Sequence, residues 1–423
     1  MLRVVSGIAH RLVGRQLALL ARVPSFRYLA LANFGSGVGT WLAFVALTVD
    51  VWDRTESGKW VAALLIADFL PVIVIGVLAG PLVDRLSRRR LMVASDLVRC
   101  GVFLALPFAN SPRLIILLAG VAGFATGFFR PALYAGLPNL VTDRELPSAN
   151  ALVQSIEAMT TIIGPLIGGI LVAASGPDAA YWINSVTFLF SAALLMRIPN
   201  SLLQAARTTT AGHWRDLREG FSQIGGSRAL LTVLLAWNVG MLANAGVNVA
   251  EVKLAKVSFD AGDFGFGLLV GSAGLGVALG SLSAGTWVER RGAPSVYGFG
   301  LLLMAIGIAA AALSPNVWVA APAVAVSGAG NGIALVCNAV FVQRGAPDRL
   351  RGRVFTVLMS SNYAVFLLGM LVAGPLTDEY GARWVWGASA VFAALAALVG
   401  FVLARGIDEQ MTPGAEPLAA TER

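Results

Sequence analysis

The sequence predicts an all-α polytopic membrane protein in which twelve transmembrane helices form two related six-helix bundles. Apolar residues make up 57% of the 423 residues and charged residues only 13%, against about 25% charged residues in an average soluble domain. The apolar residues are gathered into stretches of about 20, the length that a helix needs to cross a bilayer. Arginines are concentrated in alternate gaps between these stretches, as in loops that stay on one side of a membrane.

Twelve stretches have the length and composition of a spanning helix. They are 28–50, 60–82, 91–109, 113–136, 151–174, 179–197, 229–250, 264–287, 294–313, 317–341, 354–376 and 383–404. The first has no small-residue cleavage site, so we expect a retained helix and not a signal peptide. The predicted organisation is a cytoplasmic N-terminal segment 1–27, a first bundle 28–197, a cytoplasmic linker 198–228, a second bundle 229–404 and a cytoplasmic tail 405–423.

The distribution of basic residues predicts the orientation of the chain. With the N-terminus placed inside, 24 arginines and lysines fall on the inner side and six on the outer side. The positive-inside rule therefore places both termini in the cytoplasm. The ratio of 28 arginines to three lysines is typical of a GC-rich bacterial genome, which predicts a multi-pass protein of the bacterial inner membrane. Basic residues spread over short loops argue against a nucleic-acid-binding face.

Several other classes of function are disfavoured. Cys100 and Cys337 lie in separate apolar runs, which argues against a disulfide, and the isolated His10 and His213 argue against a metal site. An enzyme would need a cluster of His, Asp or Cys at one membrane face, and a receptor would be expected to add a soluble domain. The glycine-rich stretches lie inside spans one and eight and do not form a phosphate-binding loop. We therefore expect neither an enzyme nor a cofactor.

Two short loops carry the same pattern. Residues 80–87 read GPLVDRLS and residues 285–292 read GTWVERRG, and both fit Gly-x-x-x-acid-Arg-x-small. The first loop follows span two and the second follows span eight, which is the second span of the second half. Recurrence at the same place predicts a duplicated architecture, and transporters built from such repeats bind substrate between them.

The first of these loops carries a family resemblance. It resembles the loop 2–3 signature of the major facilitator superfamily of transporters, Gly-x-x-x-Asp-Arg-x-Gly-Arg-Arg, except that Ser87 stands where a glycine is usual. The matching residues are Gly80, Asp84, Arg85, Arg88 and Arg89. The resemblance covers the whole chain at the level of twelve spans and a central linker, and it implies two bundles related by a pseudo-twofold axis.

The resemblance also implies a role for these charges. Asp84 would sit at the partly positive N-terminus of span eleven and help to close an inner gate together with the neighbouring arginines. Glu289 and Arg290 would form the counterpart against the first half. The alternative is a static, solvated run of charge, although its recurrence after span eight favours the gate.

Span five narrows the resemblance to one branch. Gly164, Pro165, Gly168 and Gly169 match the Gly-Pro-x-x-Gly-Gly core of a signature of proton-antiporting drug exporters. A proline permits a kink and glycines permit close helix approach, so span five could act as a hinge. The alternative is that such small residues line a tight helix pair in any transporter. The stretches 128–152 and 343–355 are similar to the macrolide-efflux and enterobactin-exporter proteins.

Ionisable residues at membrane depth are functional candidates. Asp68 in span two and Glu157 in span five are candidates for proton coupling or substrate binding, with a hydrogen-bonded structural acid as the alternative. Asp96 and Arg99 lie one helical turn apart in span three, which favours a structural ion pair.

The sequence and the resemblance together predict a secondary active transporter. We expect a monomeric, proton-coupled exporter of amphipathic small molecules, such as antibiotics, drugs or siderophores, that works by alternating access. Its partners would be the substrate, protons and the lipid bilayer, with no nucleic acid and no metal. The alternative is a metabolite importer or uniporter of the same fold.

Overall fold

The computed structural model describes residues 19–78, 86–203, 224–346 and 350–404, and every regular element within these ranges is helical. Eleven of the described helices are long and apolar enough to cross a membrane. The longest, Leu146–Met196, has 51 residues and would be about 76 Å long if straight, more than twice the thickness of the bilayer core. Gly176 has a non-helical conformation with φ 75° and ψ 172° and divides it into two spans. The predicted all-α fold with twelve spans is confirmed.

The helices are labelled in chain order. They are α1 Pro24–Thr55, α2 Gly58–Leu78, α3 Arg88–Ala105, α4 Pro112–Gly136, α5 and α6 as the parts of Leu146–Met196 before and after Gly176, α7 Arg228–Ser258, α8 Gly262–Arg291, α9 Ala293–Leu313, α10 Val317–Gly345, α11 Arg351–Tyr380 and α12 Ala382–Ala404.

Helix starts follow local sequence signals. The Ser111 hydroxyl accepts a hydrogen bond from the Leu114 backbone, and the Asn316 side chain accepts one from Val319. Such caps satisfy backbone N–H groups that have no partner inside the helix. Pro24 and Pro112 stand in the first turns of α1 and α4, where the missing N–H costs nothing.

One predicted boundary is wrong in a way that matters for the site. Span seven was predicted to end at residue 250, but α7 continues to Ser258 through a turn of π-helix. The prediction stopped there because Lys253 and Lys256 resemble loop charges. In the structure the Lys253 ammonium donates to the Thr377 carbonyl at 2.8 Å, and Lys256 is held by two carboxylates. Glu251 therefore lies inside a membrane-spanning helix.

The two halves repeat one packing scheme. In the first half α2 and α3 pack on α4, and α1 and α3 pack on the α5–α6 unit. In the second half α8 and α9 pack on α10, α7 packs on α11 and α12, and α9 packs on α12. Adding six to each helix number converts the first scheme into the second. The contacts between halves obey the same rule, because α5 packs on α8 and α2 packs on α11.

Within the described residues, the apolar cores of the two halves join at one end of the molecule. We call the side where α1 begins and α2 ends the basic face, and the side where α1 ends and α2 begins the opposite face. Toward the opposite face a single core contains residues of both halves, such as Val49, Leu106, Val252 and Ala312. Toward the basic face the core divides in two, one in each half. Among the described residues, the halves thus share one apolar core at the opposite face and have separate apolar cores toward the basic face.

Candidate functional site

A cavity of about 240 Å³ lies between the two halves. The first half contributes a mostly aromatic wall: Trp41, Phe44 and Phe69, with Thr161. The second half contributes the polar side chains Asn244, Asn248, Glu251, Ser327 and Asn331, together with Trp386. A largely apolar cavity with a few polar groups that converge on it is the usual form of a small-molecule site.

Among the described residues that line this cavity, Glu251 has the only ionisable side chain. It is 6% exposed, and its Oε1 atom has no hydrogen-bond partner within the described part of the chain. It lies seven residues before the end of α7 at Ser258, which is about 10 Å below that end at 1.5 Å per residue. The sequence did not predict a role for this acid, because the predicted span seven ends at residue 250, just before it.

A carboxylate joins the two halves at the opposite face. Asp378, near the end of α11, accepts hydrogen bonds from the Ser57 hydroxyl at 2.8 Å and from the Gly58 and Lys59 backbone N–H groups at 2.5 and 3.3 Å. These groups form the start of α2, so Asp378 caps α2 from the other half of the molecule. An acid at a helix N-terminus is also favoured by the helix dipole.

A lysine makes a second connection at the same face. The Lys256 ammonium on α7 lies 2.5 Å from a carboxylate oxygen of Asp53 on α1 and 2.5 Å from one of Asp263 on α8. One of these contacts crosses between the halves. Together with Asp378, this lysine closes the opposite face by polar contacts that could be broken and remade.

The two acids predicted as coupling groups have different surroundings. The Glu157 carboxylate accepts from Arg130 at 2.7 Å and from the Tyr134 hydroxyl at 3.0 Å. The Glu157 side chain is 24% exposed and that of Arg130 is 61% exposed. Asp68 is partly buried, and its backbone carbonyl packs against Gly123 of α4. It interacts electrostatically with Arg99 and does not line the central cavity.

Asp96 and Arg99 form a buried ion pair at 2.5 Å inside the first half. The Ser191 hydroxyl of α6 donates to the second oxygen of Asp96 at 2.6 Å. The Arg99 guanidinium lies over the rings of Phe129 and Phe188, at 4.8 and 4.3 Å from their centroids. The pair is therefore sealed among α3, α4 and α6, away from the central cavity.

The span-five motif lies at two helix contacts. Gly164 and Gly168 face α1, since a Cβ on Gly164 would lie 2.5 Å from the Cβ of Trp41. Gly169 faces α8, where a Cβ would lie 2.9 Å from the Cα of Gly267. The Pro165 carbonyl also faces Gly267. The motif residues therefore pack α5 on α1 in its own half and on α8 in the other half.

Only part of the loop 2–3 signature lies within the described residues. Gly80, Asp84 and Arg85 lie outside the described residues. Arg89 donates to the Ile198 carbonyl at 2.9 Å and ties the start of α3 to the end of α6. Ser87, which departs from the signature, donates to the Asn200 side chain at 2.5 Å and caps α3.

The remaining predicted gate residues lie at the basic face. Arg88 begins α3, and its Nε atom is buried without a partner among the described residues. Glu289 and Arg290 are exposed near the end of α8. The predicted gate between the halves stays a prediction.

Comparison with known sequences agrees with this architecture. Residues 17–419 match the family described as transmembrane secretion effector. The chain is 27% identical over 369 residues to the multidrug efflux pump Tap of Mycolicibacterium fortuitum, covering 83% of this chain and 88% of that protein. It is 24% identical over 341 residues to the putative bacilysin exporter BacE of Bacillus amyloliquefaciens, covering 80% and 85% respectively.

Solved structures share the fold at low identity. The nucleoside transporter NupG has a TM-score of 0.73 and 15% identity, covering 90% of this chain and 99% of that one. A bacterial homologue of the human lysosomal transporter Spinster, in an inward-facing and unoccupied conformation, has a TM-score of 0.72 and 14% identity, covering 93% and 99%. Because the family match spans nearly the whole sequence, this chain belongs to the transmembrane secretion effector family of major facilitator transporters.

Proposed function

We propose that the protein exports amphipathic small molecules from a bacterial cytoplasm by alternating access, driven by the proton gradient. The observation that carries the proposal is that the described residues form one joint core of the two halves at the opposite face and two separate cores toward the basic face. The arginine distribution predicts that the basic face is cytoplasmic. The structure then corresponds to the state that takes up its substrate from the cytoplasm.

Export requires the opposite face to open. In repeat-built transporters this occurs largely by rocking of one half against the other around a fixed central site. Asp378 would release the start of α2, and Lys256 would release Asp53. The loop signature around Asp84 would close the basic face in the same movement. The monomer would suffice, because both walls of the cavity come from one chain.

The chemistry of the cavity and the relatives support an amphipathic substrate. The aromatic wall suits a flat apolar body, while the amides and the carboxyl suit polar substituents. Relatives are named as a multidrug efflux pump and a putative bacilysin exporter, which supports export over import.

Proton coupling is assigned to Asp68 and Glu157. Glu157 is partly exposed and held by Arg130, so protonation would weaken that ion pair and release the contact between α4 and α5. Asp68 lies within the first half near Arg99, where a gained or lost proton changes the net charge of a buried cluster. Buried acids with such partners are suited to proton exchange.

The test is transport into inside-out vesicles under an imposed pH gradient, with a panel of fluorescent lipophilic substrates. We expect gradient-dependent uptake coupled to proton release, and loss of this coupling in Asp68→Asn or Glu157→Gln. Asp143→Asn, which changes an exposed loop acid, serves as the control. Uptake that ignores the gradient, or that survives both substitutions, would contradict proton coupling through these acids and favour a uniporter.

A further inference from the structure

The central cavity contains more unpaired polar atoms than a packed interior tolerates. Glu251 Oε1, Asn331 Oδ1 and Trp386 Nε1 are all buried without a hydrogen-bond partner among the residues that the structure describes. All three residues line the same cavity. Buried polar groups are almost always hydrogen-bonded, and each orphan costs free energy. Three unpaired polar atoms around one cavity indicate a binding site in which a ligand supplies the missing hydrogen-bond partners.

The chemistry of the unpaired atoms restricts the kind of ligand that can bind. Glu251 and Asn331 present acceptors, so the ligand must bring donors toward them. When it is ionised, Glu251 also carries a charge that no basic side chain compensates among the described residues that line the cavity. A buried carboxylate is stable only when it is paired or protonated. A positively charged group with N–H donors would meet both needs.

Three basic side chains on α7 and α12 have partners other than Glu251. Lys256 is held by Asp53 and Asp263. Lys253 donates to the Thr377 carbonyl, and Arg383 donates to the Ala312 and Ser314 carbonyls at 2.7 and 2.8 Å.

Two acids toward the opposite face also have partners of their own. Asp378 caps α2, and Asp50 accepts from Arg54 and from the Tyr181 hydroxyl. Because Lys253, Lys256 and Arg383 are held by these other partners, we infer that the counter-charge for Glu251 comes from a proton or from the ligand.

The aromatic wall favours the same kind of ligand. Trp41 and Phe44 pack edge to face at 5.7 Å between centroids, and Phe69 lies at the same cavity. Aromatic faces attract cations, with Trp the strongest. The Trp386 indole N–H would additionally donate to an oxygen of the ligand.

We propose that Glu251 is the counter-ion for a protonated amine, and that the cavity selects amphipathic amines whose charged nitrogen donates to Glu251 and Asn331. The amine and a proton then exclude one another at the same carboxylate. The proposal rests on the proposed function, since it treats the central cavity as the substrate site and names the substrate class. It adds Glu251 to the coupling acids Asp68 and Glu157, as the carboxylate at which substrate and proton compete directly.

The test measures equilibrium binding to the purified protein without any gradient. The probes are monodansylcadaverine, a primary amine, and its neutral N-acetyl derivative. We expect the wild type to prefer the amine by about tenfold to a hundredfold, the range of a charged hydrogen bond. Glu251→Gln should abolish this preference and leave the affinity for the acetyl derivative unchanged. Asp143→Asn should bind both probes like the wild type.

The pH dependence gives a second readout. In the wild type the affinity for the amine should rise as pH rises, because the Glu251 carboxylate must lose its proton to bind it. In Glu251→Gln the affinity should no longer change over the same range. A variant that loses both probes equally, or that keeps the amine preference and its pH dependence, would overturn the proposal.

A measurement on the wild type covers the case of a Glu251→Gln variant that does not fold. A hydrophobic carbodiimide should modify Glu251, located by peptide mass spectrometry, and the amine but not its acetyl derivative should protect it. No modification at Glu251, or equal protection by both probes, would contradict the proposal. Selective amine binding without gradient-driven uptake would instead refute the transport function and leave the site intact.

Discussion

At the scale of single residues, the Asp96–Arg99 pair is the most completely buried charge in the described part of the first half. The two side chains are 0% and 3% exposed. Asp96 has a second donor in Ser191, and Arg99 is enclosed by the rings of Phe129 and Phe188. Removing one partner of such a pair leaves an uncompensated charge, which costs far more than the pair itself contributes.

Asp96→Asn should therefore lower the free energy of unfolding by about 3–5 kcal/mol. The double variant Asp96→Asn with Arg99→Met should lose less than the single one, because no isolated charge remains. Thermal unfolding of the detergent-purified protein measures both. Arg22→Met is the matched control, since Arg22 pairs with Glu145 on the surface and is 72% exposed, and it should change stability by less than about 1 kcal/mol. A double variant as unstable as the single one would show that packing, not charge, dominates.

The sequence predicted this pair but not its surroundings. The spacing of Asp96 and Arg99 puts them on one helix face, which any helical sequence reveals. Ser191 and Phe188 lie more than 85 positions away along the chain, so only tertiary packing brings them near. Glu251 is the opposite case, since the residue itself was not predicted. The predicted span stops before Lys253 and Lys256, because two lysines close together are typical of a loop. The partners of these lysines lie on other helices and cannot be predicted from the local sequence.

At the scale of helices, the contacts between halves depend on glycines. Gly267 of α8 packs on α5 so closely that a Cβ would lie 2.5 Å from the Pro165 carbonyl oxygen and 2.8 Å from the Gly169 Cα. The symmetry-related contact of α2 with α11 pairs Gly58 with Gly374, where a Cβ on Gly58 would lie 2.9 Å from the Gly374 carbonyl. At both contacts a larger side chain therefore fits only if the two helices move apart.

Gly267→Ala should separate α5 from α8 and destabilise the protein by about 1–3 kcal/mol, the usual cost of overpacking. Transport should fall with it, because the two halves must rock across this contact. Gly101→Ala is the matched control, since a Cβ at Gly101 would have nothing within 4 Å, and it should be neutral or slightly stabilising because alanine favours a helix. Thermal unfolding and vesicle uptake measure both variants. Equal behaviour of the two would show that α5 and α8 tolerate a wider spacing.

At the scale of the whole molecule, the sequence predicted the number of spans and the duplication more securely than the site. Span count follows from the length and apolarity that a bilayer imposes on any helix. The roles of Glu251 and Asp378 depend on which helix ends meet across the two halves. An acid near the end of a span, such as Asp378, looks the same in sequence whether it faces water or caps a distant helix.

The asymmetric core makes a prediction about the whole transport cycle. A disulfide between Gly58→Cys and Thr377→Cys should lock the opposite face shut. A Cβ on Gly58 would lie 2.9 Å from that of Thr377, so a shift of α2 from α11 by about 1 Å brings the pair to the separation of about 3.5–4.5 Å in natural disulfides. The oxidised double variant should still bind monodansylcadaverine, since the halves stay separate toward the basic face, but it should not transport. Reduction should restore uptake.

The single variants Gly58→Cys and Thr377→Cys control for the buried Cys100 and Cys337, which should remain unreactive. Binding and vesicle uptake, each measured before and after reduction, distinguish substrate loading from the opening of the opposite face. Loss of binding upon oxidation would mean that the cavity is loaded through the opposite face. Transport that continues upon oxidation would mean that α2 and α11 need not separate, and the alternating opening of the two faces would have to occur elsewhere.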